Sequence, residues 1–494
     1  MVHLAGREGK PAVTRALDFR ERAPAAATRD MYLGPDGAVV PGQSLDGHKS
    51  VAVPGTVAGL RELHKAHGRL PWRLVVKPAV DLARNGFVVG DEWVASFEWR
   101  KDVVTRFAAS RAAFMKHDGA GAEIPYQLGD LLRQRDLART LQDIARDPSS
   151  FYQGRVAQAI VEELRQGGGL ITAEDLRSYR PVWREPLCGA WRDLELCTMP
   201  PPSSGGVALL EILRLLDGVD LRGLGWHHPD ALHRLIESER IAYADRAEHL
   251  GDPAFTAVPV AELTSPAYAA LRRGAIDDRR ASKSADVKAM SAAQLATLKQ
   301  ESPDTSHLSV VDGERNAVSL TFTVNYGFGS GVVVPGTGVL LNDEMDDFSA
   351  APGVPNAFGL VGGEANSVQP GKVPLSSMTP LVAAKAGKLY LVAGSPGGST
   401  IITTVLQTLL HVVDYDMDCQ AAVAAPRLHH QWLPESTRLE AFGFDTATKG
   451  ALELRGHAFT TTDGWGNAMC IRVLDDGTLE GGADPRGEGV ARGL

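Results

Sequence analysis

Cysteine is scarce in this chain: Cys188, Cys197, Cys419 and Cys470 are the four among 494 residues. They form no CxxC pair and no zinc-like spacing, so neither a disulfide framework nor a structural metal site is expected. Long apolar runs are missing; none approaches the roughly 18 residues of a membrane-spanning helix. An excess of positive charge is missing too. The 51 basic and 60 acidic side chains leave a formal charge of −9, which offers no attraction to nucleic acid or an anionic membrane. The opening MVHLAGREGK has no basic stretch followed by a sustained apolar segment, so no secretory signal is expected there. Internal repeats and low-complexity tracts are also lacking. Gly327-Phe328-Gly329-Ser330-Gly331 has neither the third-glycine spacing nor the βαβ setting of a dinucleotide loop; it is expected to shape the loop behind Asn325.

What is present suits a folded, layered protein: 44% hydrophobic and 22% charged residues, with 52 Gly and 29 Pro for turns. The first three hundred residues mix helices and short strands. Thr56, after Pro54-Gly55, is placed to cap a helix ending at Gly68. A second helix runs to Gly86, with Pro78 in its first turn. Val156, Ile160 and Leu164 recur on one helical face before Gly167-Gly168-Gly169, and Thr172-Ala173-Glu174-Asp175 reads as a capped helix start. Another helix is expected over 229–248. After Pro303 the period changes to that of strands, with hairpin turns at Asp312-Gly313, Ala386-Gly387 and Asp476-Gly477. An apolar helix follows Ser399. Without regular βαβ spacing, this order predicts an α+β fold with sheets covered by helices.

The residues able to carry chemistry cluster after position 303. Asp304-Thr305-Ser306-His307 opens a predicted strand, and Thr323 and Asn325 stand at alternate positions of the next one. Glu344 and Asp347 lie in NDEMDD, Ser376-Ser377 in PLSSMTP and Gly397-Gly398 in GSPGGS. Each piece alone has a plain structural reading: a β-branched strand start, a solvated acidic turn, a turn with a helix cap. A triad of Thr305 with Ser306 and His307 is discounted because strand neighbours point to opposite faces, leaving His307 structural. His429-His430 are adjacent, a spacing that rarely serves one metal ion.

Taken in order, these motifs resemble the γ-glutamyltranspeptidase (glutathione hydrolase) family of N-terminal-nucleophile hydrolases. The resemblance also rests on DFRERAPAAATRDMYL, VPGTVAG, GGLITAEDL, MPPPSSGG, AYADRAEHLGDP, APRLHHQWLP and ADPR. It implies a four-layer αββα sandwich of two stacked, mainly antiparallel sheets. It also implies self-cleavage between Asp304 and Thr305 into a large piece, 1–304, and a small piece, 305–494, that stay together as a heterodimer in one interleaved domain. Thr305 is then the nucleophile and Thr323 its orienting partner. Arg20, Ser376 and Ser377 take the α-carboxylate of a γ-glutamyl donor, while Asn325, Glu344 and Asp347 take its α-ammonium. Gly397 and Gly398 supply N–H groups to the oxyanion. Phe358 stands on the substrate-covering lid where some bacterial members carry a tyrosine. The implied reaction passes a γ-glutamyl group from glutathione or related compounds to water, an amino acid or a dipeptide, with no metal or organic cofactor. The family works in the periplasm or is secreted; this chain reaches Arg20 early, an N-terminus shortened relative to the family. Two alternatives remain: a glutaryl acylase acting on β-lactam side chains, disfavoured by retention of both Glu344 and Asp347, and an unprocessed, inactive homologue with a binding or structural role.

Overall fold

In a computed structural model the described residues are 1–7, 9–287, 305–351, 353–357 and 359–493. Asp304 and Phe358 therefore lie outside them. Eleven strands build the two main sheets: β1 (Val2–Leu4), β2 (Val13–Asp18), β3 (Val182–Arg184), β4 (Leu187–Trp191), β5 (Leu194–Thr198), β6 (Thr305–Val311), β7 (Ala317–Thr323), β8 (Leu381–Lys385), β9 (Lys388–Gly394), β10 (Met469–Val473) and β11 (Leu479–Ala483). One sheet has the order β6-β7-β1-β2-β3 and the other β11-β10-β9-β8-β5-β4. Every neighbouring pair in both is antiparallel. Segments from before and after position 304 pair directly, β1 with β7 and β5 with β8. Neither part of the chain completes a sheet alone.

Side-chain alternation decides which layer each strand residue serves. Val382 and Val392 turn toward the first sheet and share a core with Ala16 and Ala317. Leu381, Ala383 and Leu391 turn the other way, into the largest core. The helices covering that outer face are α1 (Gly205–Leu215), α2 (Pro229–His249) and α3 (Ile401–Val413). All three are buried along most of their length. The first sheet is covered less completely: Leu308, Val310 and Phe322 on its outer face are exposed. Beside it lies a groove lined by Val57, Leu60 and Trp72.

The three expected hairpins form. That at Ala386-Gly387 is a two-residue turn with both residues at positive φ (49° and 74°), the geometry matched to strand twist. The helices also form, with local shifts. Thr56 is the first residue of Thr56–His67 rather than its cap, and Pro78 falls inside Trp72–Asn85 rather than in its first turn. Thr172 caps Ala173–Ser178 with a reciprocal bond from Asp175.

The expectation of unbridged cysteines is corrected. Cys188 and Cys197 stand directly opposite one another on β4 and β5 and are disulfide-bonded, and Cys419 is bonded to Cys470. Spacing rules missed both pairs because strand register joins Cys188 to Cys197, and the docking of the helix that Cys419 opens against β10 joins Cys419 to Cys470. Among the described residues no helix is long and apolar enough to cross a membrane.

Candidate active site

Thr305 is the first residue of β6 and faces Thr323, the last of β7, in direct register. A buried ring holds this pair against the second sheet. His307 shares the inner face with Thr305, so strand alternation separates Thr305 only from Ser306. Its ring is occupied structurally: Nδ1 bonds the Thr321 hydroxyl at 2.8 Å and Nε2 the Ser309 hydroxyl at 3.1 Å. Burial lowers its pKa to about 3, so it stays neutral. The ring packs on Gly394 so closely that an added Cβ there would lie 2.0 Å from His307 Cε1.

Asn325 lies beyond the end of β7, at φ 76°, which corrects the expectation that it continues the strand face of Thr323. The two remain coupled, since the Asn325 N–H donates to Thr323 Oγ1 at 2.8 Å. Asn325 Nδ2 donates to the Asp343 carbonyl at 3.1 Å, so the amide oxygen is the end suited to a cationic partner.

The acids of NDEMDD are not a solvated turn. Asp343, Glu344 and Asp346 are buried, and the four residues Glu344–Asp347 form a 3₁₀ turn. Asn342 pins the turn by exchanging bonds with the Ala52 N–H (3.0 Å) and carbonyl (2.9 Å). Arg20 follows β2, its N–H held by Asp18 at 3.0 Å and its carbonyl by the Tyr179 hydroxyl at 2.8 Å. Its guanidinium is ion-paired with Glu344 at 2.6 Å, with Asp347, and more distantly with Glu21 at 3.8 Å. One buried cation thus meets three carboxylates. Burial, opposed by Arg20, raises the pKa of Glu344 well above the usual range and that of Glu21 to about 7. Arg20 Nη1 and Glu344 Oε2 are taken up by their ion pair, while Arg20 Nε and Glu344 Oε1 are buried without a partner. Such unmet capacity is costly when buried and suits a zwitterionic ligand.

Arg20, Glu21, Thr323 and Ser376 line one cavity of ≈ 70 Å³, with Ser203 and Phe322. It follows the edge of β7 where β1 stops pairing, beyond Val318. Ser376 Oγ donates to Ser203 Oγ at 3.0 Å, and Ser204 Oγ donates to the Ser376 carbonyl at 2.6 Å. From α2, Arg246 donates to Ser204 Oγ at 2.9 Å and to Ser377 Oγ at 3.3 Å, and its charge favours ionised Asp347. Sequence reasoning assigned no role to Ser203, Ser204 or Arg246. The signal was available in MPPPSSGG and AYADRAEHLGDP, but their contact with PLSSMTP depends on the fold.

Gly397 (φ 135°) and Gly398 (φ 53°) follow β9 and lead into α3 through a 3₁₀ turn. They line neither this cavity nor the Arg20 cluster. Gly394, three residues before Gly397, packs on the His307 ring. Gly397 is fixed by its carbonyl, which accepts from Thr400 Oγ1 at 2.7 Å and Thr400 N at 2.9 Å. Its φ and the 2.5 Å approach of Thr400 Oγ1 to an added Cβ leave no room for a side chain. His429 bonds Thr403 and Gln431 (both 2.8 Å) rather than joining His430 at a common point.

Comparison with known proteins adds to this geometry. The family model described as gamma-glutamyltranspeptidase matches residues 5–494. The glutathione hydrolase proenzyme of Escherichia coli is 45% identical over 475 residues, covering 96% of this chain and 80% of that protein. Among solved structures, gamma-glutamyltranspeptidase of Helicobacter pylori is 38% identical with a TM-score of 0.55, over 58% of this chain and 80% of that one. A cephalosporin acylase from Bacillus halodurans is 26% identical with a TM-score of 0.78, over 96% and 83%.

Proposed function

Because this chain belongs to the γ-glutamyltranspeptidase family, we propose that it is a self-processing γ-glutamyl hydrolase and transferase acting on glutathione, cut between Asp304 and Thr305. The pieces 1–304 and 305–494 remain associated as a heterodimer, a reading supported by their shared sheets. The observation that carries the donor assignment is the Arg20–Glu344–Asp347 cluster, whose unbonded donors and acceptors suit the α-carboxylate and α-ammonium of a γ-glutamyl group.

Cleavage gives Thr305 a free α-amine, whose reference pKa of about 8 lets it accept a proton near neutrality. The Thr305 hydroxyl loses its proton to that amine and attacks the γ-carbonyl. Gly397 and Gly398 offer N–H groups to the oxyanion. Collapse breaks the C–N bond, and the leaving amine takes the proton from the Thr305 ammonium. The γ-glutamyl ester that remains is opened by water, or by the amine of an amino acid or dipeptide, which regenerates Thr305. Thr323, opposite Thr305 and bonded to Asn325, orients the nucleophile. Arg20, assisted by Ser376 and Ser377, takes the α-carboxylate bidentately; Glu344, Asp347 and Asn325 take the ammonium. That ammonium requirement favours γ-glutamyl donors over glutaryl side chains.

Intact mass under denaturing conditions, paired with a γ-glutamyl anilide assay, tests this. Two species, 1–304 and 305–494, with activity are expected, and Thr305→Ala should abolish both. A single uncut, inactive chain refutes the proposal, and faster release from a glutaryl than a γ-glutamyl anilide refutes the donor assignment.

We also propose that the protein works in an oxidising compartment, periplasmic or secreted. The two disulfides support this, since such bonds persist where thiols are not kept reduced. Thiol titration of denatured protein from its native compartment should find none free before reduction and four after it; four free beforehand would refute the placement.

A further inference from the structure

Away from the candidate active site, His233 and Glu237 stand four residues apart on one face of α2. His457 approaches them from the chain following the helix α4 (Thr446–Leu454). All three are buried, and one ligand atom from each lies within 4.8 Å of the others. Among the described residues one other such group exists, Cys188-Glu195-Cys197, and its sulfurs are already joined to each other.

The hydrogen bonds fix what each group can offer. His233 Nε2 lies 2.8 Å from the Asp277 carbonyl, which can only accept, so this nitrogen carries the proton. Nδ1 of the neutral ring therefore presents a lone pair. It faces His457 Nε2 at 2.7 Å, while His457 Nδ1 is buried with no hydrogen-bond partner. Glu237 has only long contacts, 3.4 Å to Arg240 Nε and 3.3 Å to the Ser282 N–H. The surrounding arginines have carboxylates of their own: Arg240 pairs with Glu435 at 2.6 Å, Arg234 with Asp278 and Arg455 with Asp230. A fully buried carboxylate is thereby left short of compensation beside two imidazoles.

We propose that His233 Nδ1, the Glu237 carboxylate and His457 Nε2 bind a divalent transition ion of the zinc class. Two imidazole nitrogens and one carboxylate oxygen are a donor set suited to that ion. The His233 Nε2–H bond to Asp277 is the outer contact that fixes a ligating ring. On binding, the His457 proton moves from Nε2 to Nδ1, so the ring remains neutral. The rings separate by roughly half an ångström to admit two metal–nitrogen bonds of about 2.0 Å. His233 and Glu237 precede position 304 and His457 follows it, so the ion staples the two pieces after self-cleavage. That staple role rests on the processing proposed above, whereas the site itself does not. The same helix carries Arg246 to Ser377, about 20 Å further along.

The test loads the purified full-length protein with Zn²⁺, removes loose ion by gel filtration and measures retained metal by mass spectrometry. Co²⁺ loading is read in parallel by absorption. One zinc per chain is expected, with visible absorption bands from the protein-bound cobalt. Retention should fall at least tenfold in His457→Gln, whose amide can still hydrogen-bond His233. Uncleaved Thr305→Ala should retain the ion equally, which separates failure of the site from failure of processing. Less than a tenth of an equivalent in the wild-type protein, or equal retention in His457→Gln, overturns the site.

Discussion

Arg20 Nη1 and Glu344 Oε2 meet at 2.6 Å, both side chains buried, one from the start of the chain and one from a 3₁₀ turn beyond its middle. Arg20 Nε and Glu344 Oε1 are left without a partner, which suits the pair to the divided receptor for opposite charges proposed above. Glu344→Gln should remove attraction for the ammonium while keeping the shape. The expected loss in kcat/KM for a γ-glutamyl anilide is on the order of 10–100-fold, the scale of a hydrogen bond to a charged group. A glutaryl anilide, which has no ammonium, should be affected much less. Equal losses for both donors would show that Glu344 serves only to hold Arg20.

How much of this was legible beforehand depended on whether a feature is local. Hairpins turn on two or three residues, so the Ala386-Gly387 and Asp476-Gly477 turns were readable directly. Thr305, Thr323 and the acids of NDEMDD could be named from motif order. Their burial and their ion pairs with Arg20 could not, because those depend on how distant segments dock. Asn325 was placed on a strand by simple alternation, but its positive φ takes it off the strand. Disulfide partners were missed for the related reason that strand register decides Cys188–Cys197 and helix docking decides Cys419–Cys470. Arg246 sat inside a quoted motif with no assigned purpose until α2 brought it to Ser377.

That contact yields a second prediction. Arg246 does not line the cavity containing Arg20 and Ser376; it holds Ser204 and Ser377 by their hydroxyls. Under the proposed donor assignment it is a positioning residue for the carboxylate end of the donor. Arg246→Lys should raise KM for the donor more than it lowers kcat, because one ammonium cannot reproduce the forked contact. A double-mutant cycle with Ser377→Ala should show coupling of about 0.5–3 kcal/mol in kcat/KM. Additive losses would mean that the two residues act independently.

Gly394 provides a steric prediction. An added Cβ would fall 2.0 Å from Cε1 and 2.4 Å from Nδ1 of the His307 ring. The ring is anchored by Thr321 and Ser309 and has little freedom to move. Gly394→Ala should therefore destabilise the protein by about 1–3 kcal/mol, the usual scale of overpacking, and should slow self-cleavage by displacing β6. Adding His307→Ala should make the double variant more stable than the sum of the single losses. Melting temperature and the fraction cleaved report both effects. An unchanged melting temperature in Gly394→Ala would show that β6 and β9 can slide apart at no cost.

Asp346 gives a prediction whose sign follows from burial. Its folded pKa is raised to about 6, chiefly by desolvation, with hydrogen bonds from Ser44 (2.6 Å) and the Ala357 N–H (2.9 Å) offsetting part of the rise. The folded state therefore holds this proton more tightly than the unfolded chain. Its favourable contribution is complete below about pH 4, declines as pH rises toward 6, and is gone above that; two pKa units correspond to roughly 3 kcal/mol. An asparagine can keep both contacts, with its oxygen toward Ala357 and its NH₂ toward the Ser44 hydroxyl, and it does not ionise. Asp346→Asn should consequently gain stability relative to the wild-type protein as pH increases from 4 to 7, with the difference constant from 7 to 8. Melting temperatures of the two proteins across that range provide the check. A difference independent of pH would mean that Asp346 titrates alike in the folded and unfolded states, despite its burial.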